Sequence, residues 1–228
     1  MGGTGSGDGF WHRLSEADQA LLLTAGHLTN YRSGAVICTE GEPATHVFIL
    51  MTGWVKVIAV TRDGRELVLA LRGQGDIIGE LGEVSGYRTA SVLAIDQVRS
   101  LLIPHARFDG FLVGHPEADR AYRRLMTQRW GAASSTLLSR STTTVAQRLA
   151  GQLLDLAERH GTPSAGRVDI EMPLSQEELA SLVGASRSSL ARALDSWRRR
   201  GLIQTSYRHI AITDPDGLVK IARRGAGH

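Results

Sequence analysis

The chain has 228 residues, 42% of them hydrophobic, 21% charged and 5% aromatic, with a formal net charge of +3. That length admits one large domain or two modest ones with a real core, and no apolar run approaches the roughly 20 residues needed to cross a bilayer. The single cysteine, Cys38, excludes an intrachain disulfide framework and any zinc or iron–sulfur site built from several thiolates, and it points to a reducing, cytoplasmic setting.

The first nine residues, "MGGTGSGDG", have neither the basic region nor the apolar stretch of a secretory signal. A helix is predicted over 15–28, with Ser15 as its cap and Glu16 and Asp18 in its first turn. From about residue 31 to 103 the pattern turns to short β-rich runs broken by glycines: "AVICTEG", "HVFILMTG", "WVKVIAV", "ELVLALRGQGD" and "SVLAIDQVRSLLI". Asp63–Gly64 between two of these runs is a hairpin-turn signal. Many short strands at close spacing predict a sandwich or jelly-roll barrel.

Within this region "IIGELGEVSGYRTASVLA", residues 77–94, sets Glu80 and the Arg88–Thr89 pair on either side of a turn in a stretch poor in other polar groups. Two readings fit: a surface ion pair at a strand connection, or a pocket for a molecule with a hydroxyl at one end and an anion at the other. A carboxylate accepts from a hydroxyl, and a guanidinium with a hydroxyl and backbone N–H groups grips a phosphate.

From 116 to 141 the only glycine is Gly131 and the only proline is Pro116, which predicts a long helix with the proline at its start. Met126, Trp130, Ala133 and Leu137 step by 4, 3 and 4, the spacing of a two-helix seam. Packing of that stripe on its own domain fits as well. A second helix is predicted over 145–160, its apolar side carrying Leu149, Leu153, Leu154 and Leu156, followed by a loop, "GTPSAGRVDIEMP", with one short strand.

"LSQEELASLVGASRSSLARALDSWRRRGLI", residues 174–203, is the most specific stretch. Ser175 caps a first helix, Gly184 breaks it, and Ser186 caps a second helix whose inward side is Leu190, Ala193, Leu194 and Trp197. Arg187, Ser188, Ser189 and Arg192 then face outward, as a major-groove reader needs. "TSYRHIAIT" follows as two short strands, a wing placing Arg208 and His209 near phosphates, with Gln176 in a similar role. The charge agrees: residues 1–143 balance 14 Lys+Arg against 14 Asp+Glu, whereas 144–228 hold 12 against 9. A basic cluster of this kind suits a solvated face or a nucleic-acid surface.

A β-rich domain with the Gly79–Glu80…Arg88–Thr89–Ala90 segment, a long seam helix and a C-terminal winged helix-turn-helix, in that order, resembles the cyclic-AMP receptor protein/fumarate–nitrate regulator family of bacterial transcription regulators over residues 10–222. The resemblance implies an α+β protein in three parts: a jelly-roll cyclic-nucleotide-binding domain (1–115), a dimerisation helix (116–143) and a winged helix-turn-helix domain (144–228). It implies cyclic AMP as allosteric effector, with no metal; the alternative is a regulator of the same family with weak or no cyclic AMP dependence, or with another small-molecule or haem effector. Gly79, Glu80, Leu81, Arg88, Thr89 and Ala90 would form the pocket, Glu80 taking the ribose hydroxyl and Arg88–Thr89 the cyclic phosphate. Arg129 would lie near Glu80, and Ser134 would reach the nucleotide from the long helix. The family's Thr–Ser pair there falls on Ala133 and Ser134, so one hydroxyl is missing. The step from Glu80 to Arg88 is also short for the family, and Glu83 and Val84 replace its usual apolar residues.

Further implied are a homodimer joined through Met126, Trp130, Ala133 and Leu137, a pseudo-palindromic operator in double-stranded DNA, and RNA polymerase as a partner. Ser186, Arg187, Ser188, Ser189 and Arg192 would face the operator, with Gln176 and Arg208 on its phosphates. Ser188 stands where the family has a glutamate, which should relax reading of one base pair. An enzyme is not expected: the eight histidines are scattered, and no phosphate-binding loop, nucleophile elbow or paired catalytic acids occur. Haem sensing would call on His46, His105 or His115.

Overall fold

The computed structural model describes residues 9–82, 86–171 and 174–223, and for 134–141 the backbone alone. The expectations about Glu83 and Val84, and those about the side chains of Ser134 and Leu137, lie outside the described residues. Packing divides the chain into two compact units between Arg129 and Trp130.

The first unit opens with a 3-10 turn (Phe10–Arg13) and helix α1 (Glu16–Ala25), which the Ser15 hydroxyl caps by accepting from the Asp18 N–H. The predicted helix is cut short at Ala25 because His27 already pairs with Leu102 in a strand ladder. Eight strands follow: β1 (His27–Tyr31), β2 (Val36–Cys38), β3 (His46–Thr52), β4 (Val55–Val60), β5 (Glu66–Arg72), β6 (Ile77–Ile78), β7 (Ser91–Ala94) and β8 (Val98–Pro104). They form two antiparallel four-stranded sheets, β1-β8-β3-β6 and β2-β7-β4-β5, the strand order of a jelly roll. Asp63–Gly64 lies in the β4–β5 hairpin as expected, whereas the run read as one strand at 91–103 is two.

Strand β3 does not alternate, since Val47 through Leu50 are all buried. Phe48 and Leu50 join Cys38, Val55, Ile78, Val92, Ala94 and Val98 in one cluster. Val47 and Ile49 join a second cluster with Phe10, Leu22, Leu101, Ile103 and the helices that cover this sheet. One of these is α2 (His105–Gly114), absent from the sequence reading. Its Phe108 meets Phe10 and Tyr122 edge to face, with centroids 5.8 and 5.5 Å apart, an arrangement worth about 0.5–1.5 kcal/mol per pair beyond burial. Tyr122 comes from the long helix α3 (Pro116–Thr142), which also lends Ala118, Leu125 and Met126 to this core. The unit boundary therefore falls inside the long helix, not at its ends.

The second unit contains α4 (Val145–His160), strands β9 (Thr162–Ser164) and β10 (Arg167–Glu171), α5 (Gln176–Leu182), α6 (Arg187–Arg199), strands β11 (Ile203–Ser206) and β12 (His209–Ile212), and α7 (Pro215–Arg223). The single strand expected after 160 is a β9–β10 hairpin, which joins the wing in a sheet ordered β11-β12-β10-β9. Helix α4 buries Leu149, Ala150, Leu153 and Leu156, while Leu154 is only half-buried. It packs on α6, α7 and β10, and burying each leucine contributes roughly 1.5–3 kcal/mol.

Candidate functional sites

In the barrel, the chain leaves β6 through Gly79, whose φ of +80° is a conformation that side chains resist. A Cβ here would also lie 2.3 Å from the Arg88 Nη1 and 3.2 Å from the His46 carbonyl oxygen. The missing side chain lets the Arg88 guanidinium fold against the backbone, donating from Nη1 to the Gly79 carbonyl at 3.1 Å. Its Cζ lies 5.2 Å from the Phe48 ring centroid. The Arg88 main chain is clamped on both sides, its N–H donating to Glu42 at 2.8 Å and its carbonyl accepting from Gly41 at 2.9 Å.

Glu80 and Arg88 are both buried, 7% and 6% exposed. The sequence left open whether they pair with each other; they do not. Glu80 accepts from the Arg129 Nη1 at 2.5 Å, and Arg129 donates through Nη2 to Asp76 at 3.3 Å. Asp76, 2% exposed, also accepts from the Gly73 N–H at 3.0 Å. Burial works against the Arg129 charge, but Glu80 and Asp76 outweigh it and hold its pKa above the ordinary value. Among the described residues Arg88 has no carboxylate at ion-pairing distance. Its charge is nevertheless felt: after burial it is the largest influence holding the His46 and His105 pKa values down. A buried cation with no anion beside it favours binding one.

The remaining pocket candidates flank this pair. Thr89 and Leu81 are exposed and Ala90 is half-buried. Asp76 was missed because a lone aspartate before two isoleucines reads as a turn residue, and its partner is distant in sequence. Of the histidines considered for haem, His46 Nδ1 pairs with the Thr45 hydroxyl, and His115 stacks on Phe111 while Nδ1 meets the Phe111 carbonyl. Among the described residues no group of three or more His, Cys, Asp or Glu side chains could hold a metal ion.

The second site is built on α5 and α6. Ser175 and Glu178 cap α5 reciprocally, the Ser175 hydroxyl accepting from the Glu178 N–H and the Glu178 carboxylate accepting from the Ser175 N–H. The helix ends at Gly184, φ +60°: the Gly184 N–H donates to Ser181 and the Ala185 N–H to Ala180, the two bonds of a Schellman cap. Ser186 then caps α6 by accepting from the Ser189 N–H at 3.2 Å.

Leu190, Leu194 and Trp197 are buried and Ala193 half-buried, which leaves Arg187, Ser188 and Arg192 exposed on the opposite side and Ser189 half-buried. Arg192 donates to the Ser189 hydroxyl at 3.1 Å, which aims it along the helix. Arg198 and Arg199 pair with Asp195. In the wing, Ser206 pairs with His209 and the turn is Tyr207–Arg208. Arg208, at φ +54°, lays its guanidinium over the Tyr207 ring, 5.5 Å from the centroid. One groove brings Gln176, Thr205, Arg208 and His209 together. On the long helix, Trp130 is 76% exposed and Ala133 is exposed, whereas Met126 packs against the barrel-side core.

Comparison with known proteins finds a family match over each of the two regions. Residues 28–115 match the cyclic nucleotide-binding domain, and residues 147–221 match the Crp-like helix-turn-helix domain. A CRP-like cAMP-activated global transcriptional regulator of Mycobacterium tuberculosis is 33% identical over 195 residues, covering 85% of this chain and 87% of the relative. A global nitrogen regulator of Synechococcus elongatus is 25% identical over 84% of this chain and 87% of its own length. The structure of FixK2 from Bradyrhizobium japonicum shares the fold, with a TM-score of 0.75 at 22% identity, covering 86% of this chain and 96% of that one. The M. tuberculosis relative is by its description a transcriptional regulator. The chain therefore belongs to the cyclic-AMP receptor protein/fumarate–nitrate regulator (CRP/FNR) family: it is a DNA-binding transcription regulator with a cyclic nucleotide-binding domain.

Proposed function

We propose that the protein is a cytoplasmic homodimer whose grip on a pseudo-palindromic operator is set by cyclic AMP in the barrel. One observation carries this reading: the buried Arg88 guanidinium has no carboxylate at ion-pairing distance among the described residues and lies within reach of the chain that presents Glu80. The cyclic phosphate neutralises Arg88, helped by the Thr89 hydroxyl and the Ala90 backbone, while a ribose hydroxyl donates to Glu80. Gly79 and Leu81 border the ligand. The description of the M. tuberculosis relative as cAMP-activated supports the choice of nucleotide.

Arg129 ties Glu80 to the long helix. A ligand that alters the Glu80 environment thereby acts on that helix and, through Ser134, on the partner subunit. The seam of Met126, Trp130, Ala133 and Leu137 joins the two copies, and the exposure of Trp130 supports this. Arg187 and Arg192 each donate to a guanine in the major groove, with Ser188 and Ser189 beside them, at two half-sites roughly 34–36 Å apart. Gln176, Ser186 and Arg208 hold phosphates. RNA polymerase is the partner at the promoter. The ligand acts only through unequal affinity for the two arrangements of the dimer.

Calorimetric titration with cyclic AMP and cyclic GMP tests the pocket. Arg88→Ala should weaken cyclic AMP binding at least about a hundredfold, as for truncation of a buried charge partner. Undiminished affinity would refute the assignment.

A further inference from the structure

Arg148, in the first turn of α4, uses its guanidinium on three main-chain carbonyls. Nη1 donates to Thr143 at 2.6 Å, Nε to Val183 at 2.8 Å and Nη2 to Gly184 at 3.1 Å. The acceptors come from two places. Thr143 belongs to the two-residue junction between α3, which ends at Thr142, and α4, which begins at Val145. Val183 and Gly184 form the turn between α5 and α6.

The turn's own chemistry explains why it needs an outside donor. Its Schellman bonds satisfy the carbonyls of Ala180 and Ser181. The carbonyls of Val183 and Gly184 follow at the negative end of α5, where a cation is favoured. Arginine suits the task because its donors are fixed in one plane and point in several directions, whereas a lysine ammonium is a compact point charge. The junction is fixed from its other side by the Thr144–Gln147 capping box. Any change of chain direction at Thr143 therefore acts on a planar, rigid group whose far edge holds the turn. The α6 cap, Ser186, is only two residues beyond Gly184.

We propose that Arg148 is a positioning residue that passes the orientation of the α3–α4 junction to the recognition helix. Its three acceptors all lie in the second unit, and none belongs to the outward face of α6. The tie is local to the second unit; its role in effector response rests on the nucleotide-dependent reading above.

The test uses the full-length chain with Arg148→Lys, which keeps the charge but not the fork, and Arg148→Gln as a second variant should the first fold poorly. Hydrogen exchange should quicken about tenfold or more at Gly184 and Ala185 and, together with them, at Gln147, while amides near Leu194 and Trp197 keep wild-type protection. Operator affinity is then measured with and without cyclic AMP. The ratio of the two should fall about tenfold, within the usual range of allosteric coupling, while calorimetric affinity for cyclic AMP stays within about twofold. A purely structural role would weaken both operator affinities alike and leave the ratio intact, and that result would overturn the proposal. Unchanged exchange at the turn would overturn it too. A wild-type ratio of one would refute the nucleotide reading instead, and the exchange data alone would then decide whether Arg148 couples junction to turn.

Discussion

At Gly79 one missing side chain and one buried cation depend on each other. The glycine accepts the Arg88 donor on its carbonyl and leaves room for the guanidinium that a Cβ would displace. Gly79→Ala should therefore cost about 1–3 kcal/mol of stability, as for a residue forced to positive φ, and lower cyclic AMP affinity by about tenfold or more. A thermal melt paired with calorimetry checks both, and normal binding in a destabilised protein would separate strain from ligand contact. The histidines near Arg88 give a pH signature. Burial first, then the Arg88 charge, holds the His46 and His105 pKa values below the ordinary imidazole value near 6.5. The unfolded chain thus takes up protons at a higher pH than the folded one. Stability from this source is complete above about pH 6.5 and is lost as pH falls through the lower folded values. A His46→Gln/His105→Gln variant should lose less melting temperature between pH 7 and 5 than wild type; parallel curves would contradict the assignment. Glu80, Arg88 and the outward arginines of α6 were legible as residues of unusual type in a telling place. Asp76 and Arg148 were not, since Arg129, which Asp76 meets, and the Val183–Gly184 turn, which Arg148 holds, are remote in sequence and no local period marks them.

Among the elements, those with a strong period or a clear cap were readable. The bounds of α4, the Ser15, Ser175 and Ser186 caps, the break at Gly184 and the two wing strands all follow from local chemistry. Helix α2 was not readable, because "HARFDGFLVG" carries two glycines and has Pro104 before it. It is held instead by Phe108 and Phe111 pressed into the core. Residues 162–171 form a hairpin because the turn Ala165–Gly166 takes positive φ at both positions, the geometry of a tight β-hairpin turn, which an Ala-Gly pair does not advertise. The long helix was legible as an element but not in how it divides its faces. Met126 is shared with the barrel-side core, so in the seam we propose Trp130 is the large apolar side chain exposed to a partner among the described residues. Trp130→Glu should convert the proposed dimer to monomer at micromolar concentration in sedimentation velocity. A variant that still sediments as a dimer would remove the long helix from the interface.

For the whole molecule, the balance of buried charge frames the regulation we propose. Among the described residues Arg129 pairs with both buried carboxylates, Asp76 and Glu80, whereas Arg88 has no carboxylate at ion-pairing distance. An anionic ligand at Arg88 would add negative charge near Glu80, which Arg129 ties to the long helix. In the second unit a separate three-carbonyl tie by Arg148 joins the end of the same helix to the turn before the reading arginines. The account requires these two devices to act in series. Fluorescence anisotropy of a labelled pseudo-palindromic operator, titrated with wild-type protein in the absence and in the presence of saturating cyclic AMP, tests this directly. The account predicts operator affinity that changes about tenfold or more with the nucleotide, an effect absent in Arg88→Ala; identical wild-type curves in the two conditions would contradict it.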